Sequence, residues 1–327
     1  MKLLLSTGNI MGGGSSIRPS TSQKTNAELI SSLRANFVQS AKDQANGHIN
    51  GASNGDSTTK RTPYHSWTSQ NGKNELQIPT LSFTHSSLEE PRTQYDITAK
   101  LFFLPSCTTS ARPAATRKAL SLVLEELHMP SIDLLILSFP GVYFDEQEDC
   151  PDKLATRGAV ESQPEPIDQQ IEAWKTLEEV KDEGLVEKLG IAEFGADRLQ
   201  QLLEGTKVKP AVDQINLRDC CSVPKALLTL AKSKGVELLV HNDCSNILPR
   251  GTLRELLGPQ GAAVLAEPSR AGDKRKSLHD EDVKNGTERE GLKGEVTPQW
   301  VVKYTAVVRN RGVVENKGYF ACAELAA

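Results

Sequence analysis

The polar residues best placed for chemistry follow apolar runs of the sequence. Ser138 ends the run IDLLILS, and His241, Asn242 and Asp243 follow the run VELLV. Runs that are apolar at successive positions are typical of strands buried on both faces. Functional groups of α/β proteins gather at the carboxyl ends of such strands. These four residues are therefore candidates for a functional site.

The cluster around His241 allows two interpretations, a metal site or a hydrogen-bonded network. A metal ion needs three or four converging ligands. Cys244 would add a sulfur ligand to His241 and Asp243, but no second histidine stands nearby in the sequence. We therefore predict no metal here and expect a network of hydrogen bonds.

The six cysteines show no C-x-x-C pair and no framework spacing, so we expect reduced thiols and a cytoplasmic protein. Cys220 and Cys221 are adjacent and follow the run AVDQINL. They are either accessible thiols at a partner interface or two small residues at the start of a helix. Asp219 beside them would raise a thiol pKa, so the sequence does not imply high reactivity.

Charge and composition exclude several classes of function. The chain has 327 residues and a formal net charge of −4, with both signs interspersed. This pattern is not that of a protein that binds nucleic acid or an anionic membrane. No apolar run approaches the roughly 18 residues of a membrane span. The start, MKLLLSTGNI, weakly resembles a signal peptide, and a first buried strand is the favoured interpretation.

Strand-like and helical patterns alternate along the chain. Helical spacing of apolar residues separates most of the apolar runs. We predict a closed (β/α)8 barrel, and a doubly wound sheet is the alternative, which the lack of a G-x-G-x-x-G turn weakens. Thr297–Gly312 is predicted as a final helix. The eight predicted strands are Lys2–Ser6, Leu76–Phe83, Ile97–Leu104, Ile132–Phe139, Lys188–Phe194, Ala211–Leu217, Val236–Asn242 and Gly312–Lys317.

Three polar stretches interrupt this pattern within one predicted domain, residues 1–327. Residues 44–74 are rich in Gly, Asn, Ser and Thr and are predicted to be a disordered insertion. Residues 146–165 are predicted to form a polar loop, and residues 269–295 a charged disordered loop.

Several segments resemble a known family. GLVEKLGIAEF, KPAVDQINL and KSKGVELLVHND resemble the middle of aldo-keto reductases, which are NADP-dependent barrels. Lys100 in ITAKLFF lies where that family keeps its active-site lysine, and Ser138 lies where it keeps a histidine. KLLLSTGNI, TAKLFF, VKPAVDQINLRDCCSVPKAL, ELLVHND and RGVVENKGY more closely resemble the modifier (regulatory, light-chain) subunits of glutamate–cysteine ligase, whose barrel is of the same type.

The resemblance to reductases implies a proton-donating tyrosine, a lysine that lowers its pKa, an aspartate paired with the lysine, and a histidine. Lys100 alone of these four is present. The segment LQIPTLSFTHSSLEE, which should supply the aspartate and the tyrosine, contains neither. We expect no catalysis, with Lys100 and Ser138 as vestiges of the active site.

The cofactor-binding residues that the resemblance implies are also mostly replaced. A Ser-Asn pair becomes Ala192 and Glu193, and a stacking aromatic residue becomes His241. Gln214 is retained. Lys317 is followed by Gly318 rather than by an arginine-bearing helix, so a phosphate clamp is not expected. We expect no cofactor, with Gln214 and Lys317 as vestiges of its site.

The closer resemblance implies a non-catalytic subunit that forms a cytoplasmic heterodimer with the catalytic subunit of glutamate–cysteine ligase. It would modulate the substrate affinity and glutathione feedback inhibition of its partner. Alternatives are an NADP-dependent reductase with a degenerate site and a redox-sensing scaffold that uses Cys220 and Cys221. The candidate interface residues are Asn216, Cys220, Cys221, His241, Asn242 and Asp243.

Overall fold

A computed structural model describes residues 1–12, 25–47, 63–84, 88–144, 162–217, 223–244, 246–267 and 291–326 of the chain. These residues form one mixed sheet with helices on both of its faces. The strands are β1 (Lys2–Ser6), β2 (Ser69–Asn71), β3 (Glu75–Ile78), β4 (Tyr95–Phe103), β5 (Ile132–Ser138), β6 (Val186–Ala192), β7 (Val212–Ile215), β8 (Glu237–Val240), β9 (Glu295–Val308) and β10 (Val313–Ala326). The α-helices are α1 (Thr25–Gly47), α2 (Arg112–Leu127), α3 (Ile167–Asp182), α4 (Ala196–Gly205), α5 (Lys225–Lys234) and α6 (Thr252–Leu257).

The sheet confirms the predicted α/β class. Its strand order is β2-β3-β1-β10-β9-β4-β5-β6-β7-β8. Strands β4 to β8 are parallel neighbours, and a helix connects each of these strands to the next. Each of the eight predicted strands overlaps one of the observed strands. The run of successive apolar residues in β5 is explained by burial on both faces.

The strand pairing differs from that of a regular (β/α)8 barrel in more than one respect. In such a barrel each strand pairs with the next strand along the chain. Here the antiparallel pair β9 and β10 lies between β1 and β4. Within the described residues no pairing joins β8 to β1, β2 or β3, so β2 and β8 are the two ends of the strand order.

The prediction that Thr297–Gly312 is a helix is wrong, since most of this segment belongs to β9. Trp300, Val301, Tyr304 and Val307 match a helical stripe, but the burial pattern from Val302 to Val308 alternates from one residue to the next. β-Branched side chains, which favour strands because their χ1 angle is restricted, are frequent in this segment. The long ladder with β10 then stabilises the extended form.

The predicted disordered ranges extend too far at their ends. Helix α1 continues to Gly47, and β2 lies inside the range 44–74, where Tyr64 and Trp67 are buried. Strand β9 begins at Glu295, which is the last residue of the range 269–295. Residues 48–62, 146–161 and 269–290 of the three ranges lie outside the described part of the chain.

Two apolar clusters pack against the two faces of the sheet. Leu4 of β1 belongs to the cluster with α2, α3, α4 and α5, whereas Leu3 and Leu5 belong to the cluster with α1 and α6. This division follows from the alternation of side chains along a strand. None of the helices in the described residues combines the length and the apolar character that crossing a bilayer requires.

Candidate functional site

The centre of the candidate site is the carboxylate of Asp243, which follows β8 and is 5% exposed. Lys100 Nζ lies 3.0 Å from Asp243 Oδ2, and Lys303 Nζ lies 2.8 Å from Asp243 Oδ1. Thr25 Oγ1 donates a hydrogen bond of 3.0 Å to Asp243 Oδ1. One buried carboxylate therefore neutralises two ammonium groups in part and also accepts a hydrogen bond from a hydroxyl group.

The two lysines come from adjacent strands. Lys100 on β4 is the register partner of Lys303 on β9 in the antiparallel ladder. Like charges at directly opposite positions destabilise a sheet, so this pair needs an anion between the two side chains. Burial alone would raise the pKa of Asp243, but Lys100, Lys303 and His241 hold that pKa well below its ordinary value. Asp243 is thus kept ionised in the interior.

The predicted vestige Gln214 has a new role in this network. Lys100 Nζ donates to Gln214 Oε1 at 3.1 Å, in addition to its contact with Asp243. Two of the three N–H groups of this ammonium are therefore bound by acceptors of the chain itself. Ser138 lines the same small cavity and is buried.

His241 lies between two carboxylates, those of Glu193 and Asp243. Its Nδ1 accepts a hydrogen bond of 3.1 Å from the backbone N–H of Asp243, so a neutral ring carries its proton on Nε2. That nitrogen lies 2.8 Å from Glu193 Oε1. Glu193 has a φ of +67°, and its backbone N–H donates to the carbonyl of Gln214 at 2.8 Å. The structure thus brings His241 and Glu193 together at the carboxyl ends of β8 and β6.

Asp213 on β7 is a buried acid that the sequence prediction missed. Its side chain is inaccessible, and Asp213 Oδ1 accepts a hydrogen bond of 3.3 Å from the backbone N–H of Phe194. Burial raises the pKa of Asp213 well above its ordinary value, and the neighbouring charge of Glu193 acts in the same direction. The visible signal was an aspartate inside the apolar run AVDQINL.

The first turn of α1 closes the site from the other side. Thr25 binds Asp243, as described above, and also donates to the backbone carbonyl of Asn242 at 3.3 Å. Glu28 Oε1 accepts a hydrogen bond of 2.5 Å from the Tyr319 hydroxyl and lies 2.6 Å from Lys317 Nζ. The predicted vestige Lys317 is therefore paired with an acid of the chain itself. No motif in the sequence had pointed to Thr25 or Glu28.

The space left beside Lys100 is very small. The cavity has a volume of about 10 Å³, which is room for about one water molecule. Its lining consists of side chains from the carboxyl ends of the strands and from the loops that follow. The lining residues are Lys100, Phe102, Ser138, Phe139, Val142, Tyr143, Glu193, Asn216, His241, Asp243 and Cys244. A nicotinamide ring does not fit there unless these side chains move.

The geometry favours neither tyrosine chemistry nor metal binding at this site in the described residues. Tyr143 lines the cavity, but the hydrogen bonds of Lys100 go to Gln214 and Asp243. The Tyr319 hydroxyl donates to Glu28, and burial followed by the charge of Glu28 raises the pKa of Tyr319, which makes it a weaker acid. Among the residues that the structure describes, no three His, Cys, Asp or Glu side chains converge as metal ligands would.

The predicted interface residues differ in accessibility. Asn216 Nδ2 donates to the backbone carbonyl of Asp243 at 3.2 Å, and Asp243 itself is buried. Asn242 is exposed, and His241 is partly exposed. Cys220 and Cys221 lie outside the described residues. Of the four candidates that can be located, Asn242 is thus the one with an exposed side chain.

Comparisons with known proteins support both resemblances. The family model described as the aldo/keto reductase family matches residues 51–255. The putative glutamate–cysteine ligase regulatory subunit of Schizosaccharomyces pombe is 27% identical over 237 residues, which cover 71% of this chain and 72% of the relative. The regulatory subunit of glutamate–cysteine ligase from Homo sapiens is 25% identical over 235 residues, 72% of this chain and 68% of the relative. An NADPH-dependent D-xylose reductase of Meyerozyma guilliermondii is 27% identical over 212 residues, 62% of this chain and 58% of the relative.

Proposed function

Because the chain belongs to the aldo/keto reductase family but fills the reductase site with its own side chains, we propose that it is a regulatory subunit without catalytic activity. It binds the catalytic subunit of glutamate–cysteine ligase as a heterodimer. In that complex it modulates the substrate affinity of the enzyme and its feedback inhibition by glutathione. The relatives named as regulatory subunits of this ligase support the proposed partner.

The observation that carries the proposal is the state of Lys100. Reductase chemistry needs this lysine next to a tyrosine whose pKa it lowers. Here Lys100 is 4% exposed and is hydrogen-bonded to Asp243 and Gln214. Burying an ammonium group is unfavourable unless a partner compensates for lost hydration, and Asp243 is that partner. The lysine thus stabilises the fold.

Regulation of a partner enzyme is possible without any reaction by this chain. A bound subunit shifts an enzyme between two conformations only as far as it binds one of them more tightly. The chain would bind the active conformation of the catalytic subunit better than the glutathione-inhibited one. A complementary surface is sufficient for this effect.

A cytoplasmic location is part of the proposal. Cys107, Cys244 and Cys322, which lie in the described residues, are free thiols. Burial raises the pKa of Cys107 to about 11 and that of Cys322 to about 12, so both are unreactive at neutral pH. Free thiols of this kind suit a reducing compartment.

Co-purification tests the proposed partnership. The chain and the catalytic subunit from the same organism are mixed at equal concentration and separated by size-exclusion chromatography. We expect one peak that contains both proteins in equal amounts. Separate elution at micromolar concentration would overturn the proposed partnership, and an unrelated barrel protein serves as the control for non-specific association.

An NADP-dependent reductase is the second candidate, and the family membership together with the retained Lys100 favours it. It predicts quenching of protein fluorescence by NADPH and carbonyl-dependent oxidation of NADPH that Lys100→Met abolishes. A regulatory subunit predicts neither. Saturable quenching below about 1 mM NADPH, a concentration at which functional cofactor sites are occupied, would decide for the reductase.

A further inference from the structure

Strand β8 has an open edge in the described structure. Its one neighbour is β7, towards which the backbone N–H groups of Glu237 and His241 donate at 2.9 and 3.1 Å. Successive residues of a strand point their backbone groups to opposite sides. The backbone N–H and C=O groups of Leu238 and Val240 therefore face away from β7. In the part of the chain that the structure describes, no strand lies on that side.

Apolar side chains are exposed beside this open edge. Val240 is 61% exposed, and Leu228 on α5 is 48% exposed. Leu239 is half-buried. Native edge strands are usually protected from pairing by inward charges, prolines or bulges, and β8 has none of these between Leu238 and Val240. We use the name β8 edge for Leu238, Leu239 and Val240 of the strand together with Leu228 of α5.

Helix α5 supplies positive charge on one side of the β8 edge. Helix α5 carries Lys225, Lys232 and Lys234, all exposed and without an ion pair in the described residues. Lys225, Leu228 and Lys232 share one helical face, because they are three and four residues apart. The helix packs on β8, the strand that carries the open edge, and against α4. In a chain of net charge −4, this face is a local basic patch.

We propose that the β8 edge binds an extended segment of a partner protein as an added strand. The segment has apolar residues at alternate positions, which contact Leu228 and Val240, and acidic residues on its flanks, which pair with the lysines of α5. Backbone groups of the segment pair with those of Leu238 and Val240, as in other cases of strand addition. The identity of the partner, the catalytic subunit of glutamate–cysteine ligase, rests on the proposed function.

Charge distinguishes this occupant from a second copy of the chain. If two β8 edges paired with each other, two lysine-bearing α5 helices would approach one another. Like charges at close range oppose such a contact, whereas an acidic segment is attracted to it. A partner with acidic flanks therefore fits this surface better than a second copy does.

Two matched pairs of variants test the surface. Val240→Lys places a charge at the open edge, and Val313→Lys places it at a similarly exposed valine, 54% accessible, at the start of β10. Lys225→Glu with Lys232→Glu reverses the charge of α5, and Lys42→Glu with Lys188→Glu is the control at exposed lysines elsewhere. Denaturant midpoints equal to that of the wild type show that each variant is folded.

The affinity for the catalytic subunit is measured by titration at two salt concentrations. We expect Val240→Lys and the α5 reversal each to weaken binding by about tenfold or more, while both controls bind as the wild type does. The α5 reversal should also reduce the salt dependence of binding.

Each outcome decides a different point. If Val240→Lys and the α5 reversal both bind with wild-type affinity, the proposal for the β8 edge is wrong and the proposed function stands. No binding by the wild-type chain would overturn the partnership and the edge proposal together. If sedimentation shows a wild-type dimer that Val240→Lys dissociates without a change in partner binding, the occupant is a second copy and the proposal is wrong.

Discussion

Lys100 and Lys303 lie opposite each other on adjacent antiparallel strands and share the carboxylate of Asp243, at 3.0 and 2.8 Å. In the sequence these residues are far apart, and none of them lies in a motif with the others. Together they form an internal ion cluster around Lys100, the residue predicted to match the catalytic lysine of reductases. The fold therefore uses Lys100 for an internal ion pair.

Replacement of the shared carboxylate should be strongly destabilising. Asp243→Asn keeps the shape of the side chain but leaves Lys100 and Lys303 opposite each other without an anion. Breaking a buried ion pair by removing one partner costs about 3–5 kcal/mol in the free energy of unfolding. Denaturant unfolding monitored by circular dichroism measures this loss. Asp96→Asn, at an exposed position on β4, is the control and should change stability by less than about 0.5 kcal/mol. Equal stability of the two variants would contradict the structural role of Asp243.

The buried acid Asp213 should make the protein less stable as the pH rises above about 4. Its folded-state pKa is raised, so the native state binds more protons than the unfolded chain between the unfolded pKa of about 3.9 and the folded pKa. Stability from this group is highest below about pH 3.9 and falls as the pH rises towards the folded pKa. Asp213→Asn removes this loss. The stability of the variant relative to the wild type should therefore rise as the pH increases from about 4, near the pKa of an unfolded aspartate, to about 8. Unfolding free energies across that range check the sign, and a constant difference between the two proteins would contradict it.

The clamp between α1 and β10 should control the opening of the site. Glu28→Gln weakens the contacts with Lys317 Nζ and the Tyr319 hydroxyl, which hold the first turn of α1. Hydrogen bonds to a charged group contribute about 1.5–3 kcal/mol, so amide exchange in α1 should accelerate by more than about tenfold. Hydrogen-exchange mass spectrometry measures this change. Glu187→Gln, which replaces an exposed acid on β6, should leave exchange in α1 as it is. Similar exchange in both variants would show that Glu28 does not hold the helix.

The sequence was sufficient for the elements whose patterns are local. The successive apolar residues of β5 and the helical spacing of the apolar residues of α5 predict their structures directly. The hairpin of β9 and β10 could not be recognised in this way, because Trp300, Val301, Tyr304 and Val307 fit a helical stripe. Strand pairing over a long ladder, which is a non-local interaction, decides the outcome there.

Most residues of the candidate site were predicted from the sequence, but the contacts between them were not. His241 and Asp243 were identified from their positions after an apolar run, and Lys100 and Gln214 from the resemblance to reductases. Lys303 was missed because the segment that carries it was predicted as a helix, and in that prediction it could not oppose Lys100. Contacts between residues so far apart in the sequence depend on the register of β4 with β9, which no local pattern specifies.

The most direct measurement is the glutathione inhibition curve of the catalytic subunit, recorded with and without an equimolar amount of this chain in a buffer free of NADPH and carbonyl substrates. If the chain acts by contact, the glutathione concentration for half inhibition rises when the chain is present. An unchanged curve, together with oxidation of NADPH by the chain alone when a carbonyl compound is added, would contradict the account.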